Sequence, residues 1–261
     1  MKVSIITISY KNAVGLEKTI KSIQNQTYPA IEHIVIDGGS EDGSKEIIEQ
    51  YSDKIAYWVS ETDKGIYNAM NKGVDHATGE YCLFINSGDC LYSPTALANV
   101  MAEQPIADLA IANIITDDDI KSLYCPPEEV TCSYMLSTSL PHPSTLIKTD
   151  LMKRLRYDES YNIISDWAFM FRALIHESCT YQHIDKLLSV FYSGGISGAQ
   201  KEKELSERKD FIYKSMPKRV ADELFDGYSS YFIWVKSTKS REQSLIKFII
   251  RTIQWFNRKH F

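Results

Sequence analysis

The chain has 261 residues, enough for one large α/β domain or for one domain with an appendage. Hydrophobic residues make up 44% and charged residues 24%, which excludes a disordered chain and leaves room for a sizeable core. The net charge of −5 gives no argument for nucleic acid, and no such partner is expected; the five cysteines form no CxxC pair and no zinc spacing, which suggests a reducing compartment.

Val3 to Ile8 is a β-rich apolar run and predicts a first buried strand, with Thr7, Ser9, Tyr10 and Asn12 at its carboxyl end. A strand explains the start MKVSIITISYKN better than a signal peptide, because no small-residue cleavage site follows. From Asn12, a candidate N-cap, Val14, Leu16, Ile20 and Ile23 recur at helical spacing until Thr27-Tyr28-Pro29 breaks the pattern. Ile31 to Ile36 predicts a second strand with Asp37 at its end. Gly38, Gly39 and Gly43 then make a turn, and Glu41 and Asp42 open a helix through Ile47 and Ile48. Ile55 to Val59 is a short third strand followed by Asp63, and Ile66 to His76 reads as a helix. The β-α-β-α order argues for a parallel sheet. The glycine-rich turn is neither the dinucleotide fingerprint nor a P-loop. An Asp in that place either bonds its own backbone or accepts hydrogen bonds from a base or a ribose.

Gly79 to Asp89, GEYCLFINSGD, is a short apolar run closed by turn residues, which predicts a buried central strand. It presents Asp89 at the carboxyl edge of the sheet, where open α/β sheets bind ligands. There a carboxylate either caps the next helix or holds a divalent cation against a phosphate-bearing ligand. Asp37, Asp63 and Asp89 thus follow three successive strands and would converge on one crevice.

SIITISYKN at Ser4–Asn12, the segment Ser22–Ser44, ETDKGIYNAMNKGVDHATGEY at Glu61–Tyr81 and INSGD at Ile85–Asp89 together resemble family 2 glycosyltransferases of the GT-A fold, in order and in spacing. The resemblance covers most of residues 3–90. It implies an α/β, Rossmann-like, mostly parallel sheet flanked by helices, and a nucleotide-sugar donor, with UDP as the nucleotide. It also implies that Thr7, Ser9, Tyr10, Asp37, Asp63 and Ser87 bind that donor, with Asp37 and Asp63 on the nucleoside. Asp89 would be the last acid of the metal-binding D-x-D element, serving Mg²⁺ or Mn²⁺. Here the triplet is Ser87-Gly88-Asp89, so the first acid of that element is replaced.

Farther along, Pro94 to Met101 predicts a helix and Asp108 to Ile115 a strand. Thr116 to Asp119 is an acidic turn that reads as a solvated loop. His142 lies between Pro141 and Pro143, which keep it out of a helix, and precedes a strand at Leu146-Ile147. It is either a loop histidine or, as the resemblance implies, a residue facing the acceptor. Asp166 opens a strong helix through Phe169, Met170, Phe171, Leu174 and Ile175. An acid there serves the helix dipole. The resemblance instead makes it the catalytic base, with Trp167 and Arg172 on the acceptor side. Leu187 to Phe191 is a last strand, and Gly194-Gly195-Ile196-Ser197 after it either closes over the diphosphate or is a plain connector.

From Lys201 the composition shifts to charged helix, so the expected division is a glycosyltransferase domain over 1–200 and a helical appendage over 201–261. Lys236 to Phe261 carries seven Lys and Arg against one Glu, with Leu245, Phe248, Ile249, Trp255 and Phe256 at helical spacing. Such a helix suits an anionic membrane surface, or it packs on the core or a second subunit. No apolar run approaches the roughly 18 residues of a membrane helix. The expected protein is cytoplasmic, soluble or peripheral at the inner face of the membrane. The expected activity is inverting sugar transfer to a glycan or lipid-linked acceptor. Its rivals are a non-catalytic nucleotide-sugar-binding subunit and a sugar-nucleotide pyrophosphorylase. The latter would need a glycine-rich basic loop after the first strand, which Ser9-Tyr10-Lys11-Asn12 does not supply.

Overall fold

In the computed structural model, which describes residues 1–116, 122–192 and 201–224, Val3–Ser9 forms strand β1, buried at every position. Asn12 caps helix α1 (Ala13–Gln24) by accepting from the Gly15 amide at 3.1 Å. Strand β2 (Ile31–Asp37), helix α2 (Ser44–Gln50), strand β3 (Tyr57–Ser60), helix α3 (Ile66–His76) and strand β4 (Tyr81–Phe84) follow. Strand β5 (Cys90–Leu91), helix α4 (Ala96–Ala102), strands β6 (Leu109–Thr116) and β7 (Ser122–Tyr124), and helix α5 (Cys132–Ser137) continue the chain. Then come strand β8 (Thr145–Lys148), helices α6 (Thr149–Leu155) and α7 (Ser165–Phe171), strand β9 (Tyr181–Phe191) and helix α8 (Lys201–Ser215). Met1–Glu207 is one compact unit, and a second begins at Arg208.

The nine strands described form one sheet in the order β3-β2-β1-β4-β8-β6-β9-β5, with β7 beside β6. β3, β2, β1 and β4 run parallel. β8 enters antiparallel to β4 and β6, and β6 and β9 are parallel again. Most paired positions are therefore parallel, as the alternating pattern demands. The chain winds outward from β1 to β3, then crosses back to β4 on the other side of β1. The carboxyl ends of β1 and β4 are therefore the switch point at which such sheets bind ligands.

Helices α1 and α2 cover one face through Leu16, Ile20, Val35, Ile48 and Ile55. Helix α3 covers the other so closely that a Cβ on Gly73 would stand 2.4 Å from Ile6 Cγ2. Registers place Ser9 beside Asp37, and Asp37 beside Ser60, in one row at the carboxyl edge.

His142 departs from expectation. It opens a single 3-10 turn over His142–Ser144. Pro143 is tolerated there because the amides of a first turn have no intrahelical acceptor. The acidic run at 117–119, the loop 194–197 and the basic segment 236–261 lie outside the described residues. Among the described residues no helix is long and apolar enough to cross a membrane.

Candidate active site

At the carboxyl edge of β1, β2 and β3 the row Ser9, Asp37 and Ser60 anchors the turn that follows β2. Asp37 is fully buried. It accepts from the Ser40 amide at 2.9 Å, the Ser40 hydroxyl at 2.6 Å and the Ser60 hydroxyl at 2.6 Å. It thus holds the turn after β2, and Ser40 Oγ in turn accepts the Lys11 amide at 2.8 Å. Gly38 leaves room here for two side chains: a Cβ would stand 2.6 Å from Asp63 Oδ2 and 3.1 Å from the Tyr10 ring. Asp63, whose other oxygen takes the Gly65 amide at 2.8 Å, is thereby brought against Asp37's turn and Tyr10. Tyr10 is 61% exposed, an aromatic face on the same side of Gly38 as the Asp63 carboxylate. Ser9 is buried and its hydroxyl has no hydrogen-bond partner. Thr7 is not brought to the crevice. It is fully buried, with its hydroxyl on His33 Nε2 at 3.1 Å.

Across the switch point, the Ser87 amide donates to Ile8 O and the Ser87 hydroxyl to Asn12 O, while Asn12 Nδ2 donates to Ser87 O. The turn Asn86–Asp89 is closed by the Asp89 amide on Asn86 O at 2.9 Å. Thr19 braces it by donating to Asp89 O at 2.7 Å and Asn86 O at 3.2 Å. The Asp89 side chain is buried and accepts the Tyr192 amide at 3.2 Å. Burial pushes its carboxyl up to about 6, against the pull of His142, the Tyr192 amide and Lys18. A buried carboxylate so poorly compensated fits a cation. Among the described residues no group of three His, Cys, Asp or Glu could hold a metal ion. An ion on Asp89 would therefore complete its shell with ligand oxygens and water, as Mg²⁺ commonly does.

The second carboxylate sits on α7. His142 Nδ1 lies 3.2 Å from Asp166 Oδ2, and Asn86 Nδ2 lies 3.1 Å from His142 Nε2. Asp166 Oδ1 accepts the Trp167 amide at 2.9 Å and the Tyr67 hydroxyl at 3.1 Å. Burial raises the Asp166 carboxyl, but the His142 contact, the Trp167 amide and Tyr67 outweigh it, and the net shift is downward. For His142, burial works downward and the hydrogen bond and charge of Asp166, with the charge of Asp89, carry it upward. The pair is held as carboxylate and imidazole side by side, with 24% and 17% of the two side chains exposed.

Of the residues expected on the acceptor side, His142 joins this cluster and the other two do not. Trp167 is buried and donates through Nε1 to Met135 O at 2.7 Å. Arg172 points to Leu155 O at the end of α6, at 3.5 Å. Asn86 and Tyr67 were not anticipated. Asn86 reads as turn chemistry and Tyr67 as part of an apolar helix face; a hydroxyl at a buried helix position, which needs a partner, was the one available signal.

The family model described as glycosyl transferase family 2 matches residues 4–178. An uncharacterized glycosyltransferase of Mycobacterium tuberculosis is 32% identical over 184 residues, covering 66% of this chain and 69% of that protein. A PGL/p-HBAD biosynthesis glycosyltransferase of Mycobacterium bovis is 26% identical over 222 residues, covering 78% and 82%. Among solved structures, TarS 1-349 of S. aureus in complex with UDP-GlcNAc superposes with a TM-score of 0.66 at 19% identity, covering 86% of this chain and 70% of that one. The mannosyltransferase PcManGT from Pyrobaculum calidifontis, in complex with GDP-Man and Mn²⁺, gives 0.62 at 18% identity, covering 82% and 64%. These likenesses carry the fold, which is the GT-A architecture.

Proposed function

The chain belongs to glycosyl transferase family 2 and is a glycosyltransferase, and we propose that it inverts the anomeric centre while moving a sugar from a UDP-sugar to a hydroxyl of a surface glycan or lipid-linked acceptor. The observation that supports this reading is the placement of two carboxylates in opposite environments at the switch point. Asp89 is buried with its carboxyl pushed up, and Asp166 is hydrogen-bonded with its carboxyl held down.

Tyr10 offers the uracil an aromatic face, and Asp63 beside it would accept from the base or the ribose, while Asp37, fully buried, shapes the turn between them by holding Ser40 and Ser60. Asp89 would hold the Mg²⁺ or Mn²⁺ ion, which when bound offsets the negative charge that grows on the leaving diphosphate. Asp166 takes the proton of the acceptor hydroxyl as its oxygen bonds to the anomeric carbon and the bond to the nucleoside diphosphate breaks. That base must be ionised at neutral pH, and its three donors favour that state. The relative that is a PGL/p-HBAD biosynthesis glycosyltransferase and the fold neighbour seen with UDP-GlcNAc support a UDP-sugar and a surface glycan.

The test is a panel of nucleotide-sugars with and without divalent cation, read as nucleotide release. UDP release from a UDP-sugar that depends on the cation is the expected result. Tight UDP binding with no release from any UDP-sugar would point to a binding subunit instead.

A further inference from the structure

Both ring nitrogens of His142 are engaged inside the protein, Nδ1 with Asp166 at 3.2 Å and Nε2 with Asn86 at 3.1 Å. The Asp166 carboxylate only accepts, so Nδ1 carries the ring proton and Nε2 of the neutral ring is left to accept. With Nδ2 against the imidazole the amide donates to it. In this orientation Asn86 Oδ1 is buried without a partner. Turning the amide over would put its NH₂ in that place, and a buried N–H without an acceptor is the rarer orphan. The amide as placed therefore matches the tautomer that gives its Nδ1 proton to Asp166 Oδ2.

Asp166 Oδ1 is meanwhile held by the Trp167 amide and the Tyr67 hydroxyl. Donors on both oxygens stop the carboxylate from turning. Asn86 belongs to the same turn as Asp89, the turn braced by Thr19 on Asn86 O and Asp89 O. One chain of hydrogen bonds thus runs from the donor-side turn through His142 to Asp166.

We propose that Asn86 is a positioning residue for the base: through His142 it fixes the orientation of Asp166 relative to the turn that carries Asp89. The proposal rests on reading Asp166 as the base. In-line displacement needs the acceptor oxygen, the anomeric carbon and the base in one alignment, and an error of about 1 Å in such an arrangement costs on the order of 10²-fold in rate. His142 is then a link between two carboxylates rather than a contact for the acceptor.

The test uses the full chain and the UDP-sugar that the panel identifies. Asn86→Leu keeps the volume and cannot donate to His142. Its kcat is expected to fall about 10- to 100-fold, the usual size of a lost supporting shell, with UDP affinity by calorimetry and the KM for the nucleotide-sugar unchanged. His142→Asn puts an amide nitrogen near the place of Nδ1 and keeps a donor to Asp166. His142→Gln reaches the place of Nε2 and keeps only the contact to Asn86. The Asn variant is expected to turn over about tenfold faster than the Gln variant, one hydrogen bond's worth. Full kcat in Asn86→Leu, donor affinity falling in step with kcat, or a Gln variant as fast as the Asn variant overturns the proposal. If circular dichroism shows Asn86→Leu unfolded, Asn86→Ala, which also cannot donate to His142, is read in its place by the same kcat and affinity criteria. An Asp166→Asn protein with intact kcat breaks the base reading and the proposal with it. Loss there, combined with full kcat in Asn86→Leu, breaks only the proposal.

Discussion

Asp89 closes the turn after β4, Asp166 opens α7 and is joined to that turn through His142, and the surroundings of the two carboxyls push them in opposite directions. Asp89 is 5% exposed, and among the described residues its side chain accepts one backbone amide, at 3.2 Å. Burial dominates and the carboxyl rises to about 6. Asp166 feels burial too, but an imidazole, an amide and a phenol answer it, and its carboxyl falls. The difference teaches what each site lacks. At Asp89 the pull of His142 and Lys18 does not offset burial, so a cation arriving with an anionic ligand improves its lot. Asp166 already has its partners and stays a carboxylate across the neutral range, which is the state a proton acceptor needs.

The sharpest way to break the comparison is Asp166→Asn. Asn keeps the shape and still accepts the Trp167 amide and the Tyr67 hydroxyl through its one oxygen, with its NH₂ turned to His142. Transfer is expected to fall by on the order of 10²–10⁴-fold, the usual worth of a general base, while UDP affinity stays near normal. Steady-state kinetics beside calorimetry separates the two quantities. Turnover close to wild type would leave Asp166 as a helix-terminal acid and nothing more.

How far the sequence carries this comparison can be read from particular elements. β1 to β4 were legible because each is a short apolar run closed by Gly, Asn, Asp or Ser, and α3 runs from Ile66 to His76 as its periodicity predicts. β5, β7, α5 and α6 were not anticipated. β5 has two residues, too few for a period. β9 was expected from Leu187 and begins at Tyr181, because Tyr181–Lys186 is polar and owes its extended form to β6. Asp37 and Asp89 were legible as strand-end acids. The link between Asn86 and Asp166 was not, since it runs through His142, 56 residues from one and 24 from the other. Trp167 looked like a site residue from its place beside Asp166. A helix turns about 100° per residue, so it faces the core instead.

Asp89→Asn sharpens the other half of the comparison. The unfolded carboxyl titrates near 3.8 and the folded one near 6, so the native state binds the extra proton between those values. Wild-type stability from this group therefore falls as pH rises from about 4 to about 6, and above 6 the full cost of about 3 kcal/mol is present. Asn carries no charge and still accepts from the Tyr192 amide. The variant without ligands is expected to melt above wild type at pH 8, with the gap closing as pH falls through 6. Adding UDP with Mg²⁺ or Mn²⁺ should raise the wild-type melting temperature and leave the variant's unmoved. A variant less stable than wild type at pH 8 would show that Asp89 is compensated in the folded chain and has no need of a cation.

Tyr67→Phe has the smallest expected effect and separates support from chemistry. The hydroxyl lies 2.6 Å from Ile163 O and 3.1 Å from Asp166 Oδ1, so its proton is shared, with the shorter contact to the backbone. Burial and the charge of Asp166 raise the phenol far above its ordinary range, so it is a donor at every working pH. Phe fills the same space and leaves Ile163 O without that donor. Asp166 Oδ1 keeps the Trp167 amide, and Oδ2 keeps His142. The expected loss of stability is about 1 kcal/mol, the net worth of one hydrogen bond, read as a lower midpoint in urea with an unchanged slope. The Asp166 carboxyl should rise slightly as one donor goes, and kcat should fall less than tenfold. A kcat loss as large as that of Asp166→Asn, in a protein as stable as wild type, would mean that the reacting proton passes through the phenol. The base would then be the Tyr67–Asp166 pair acting as a unit.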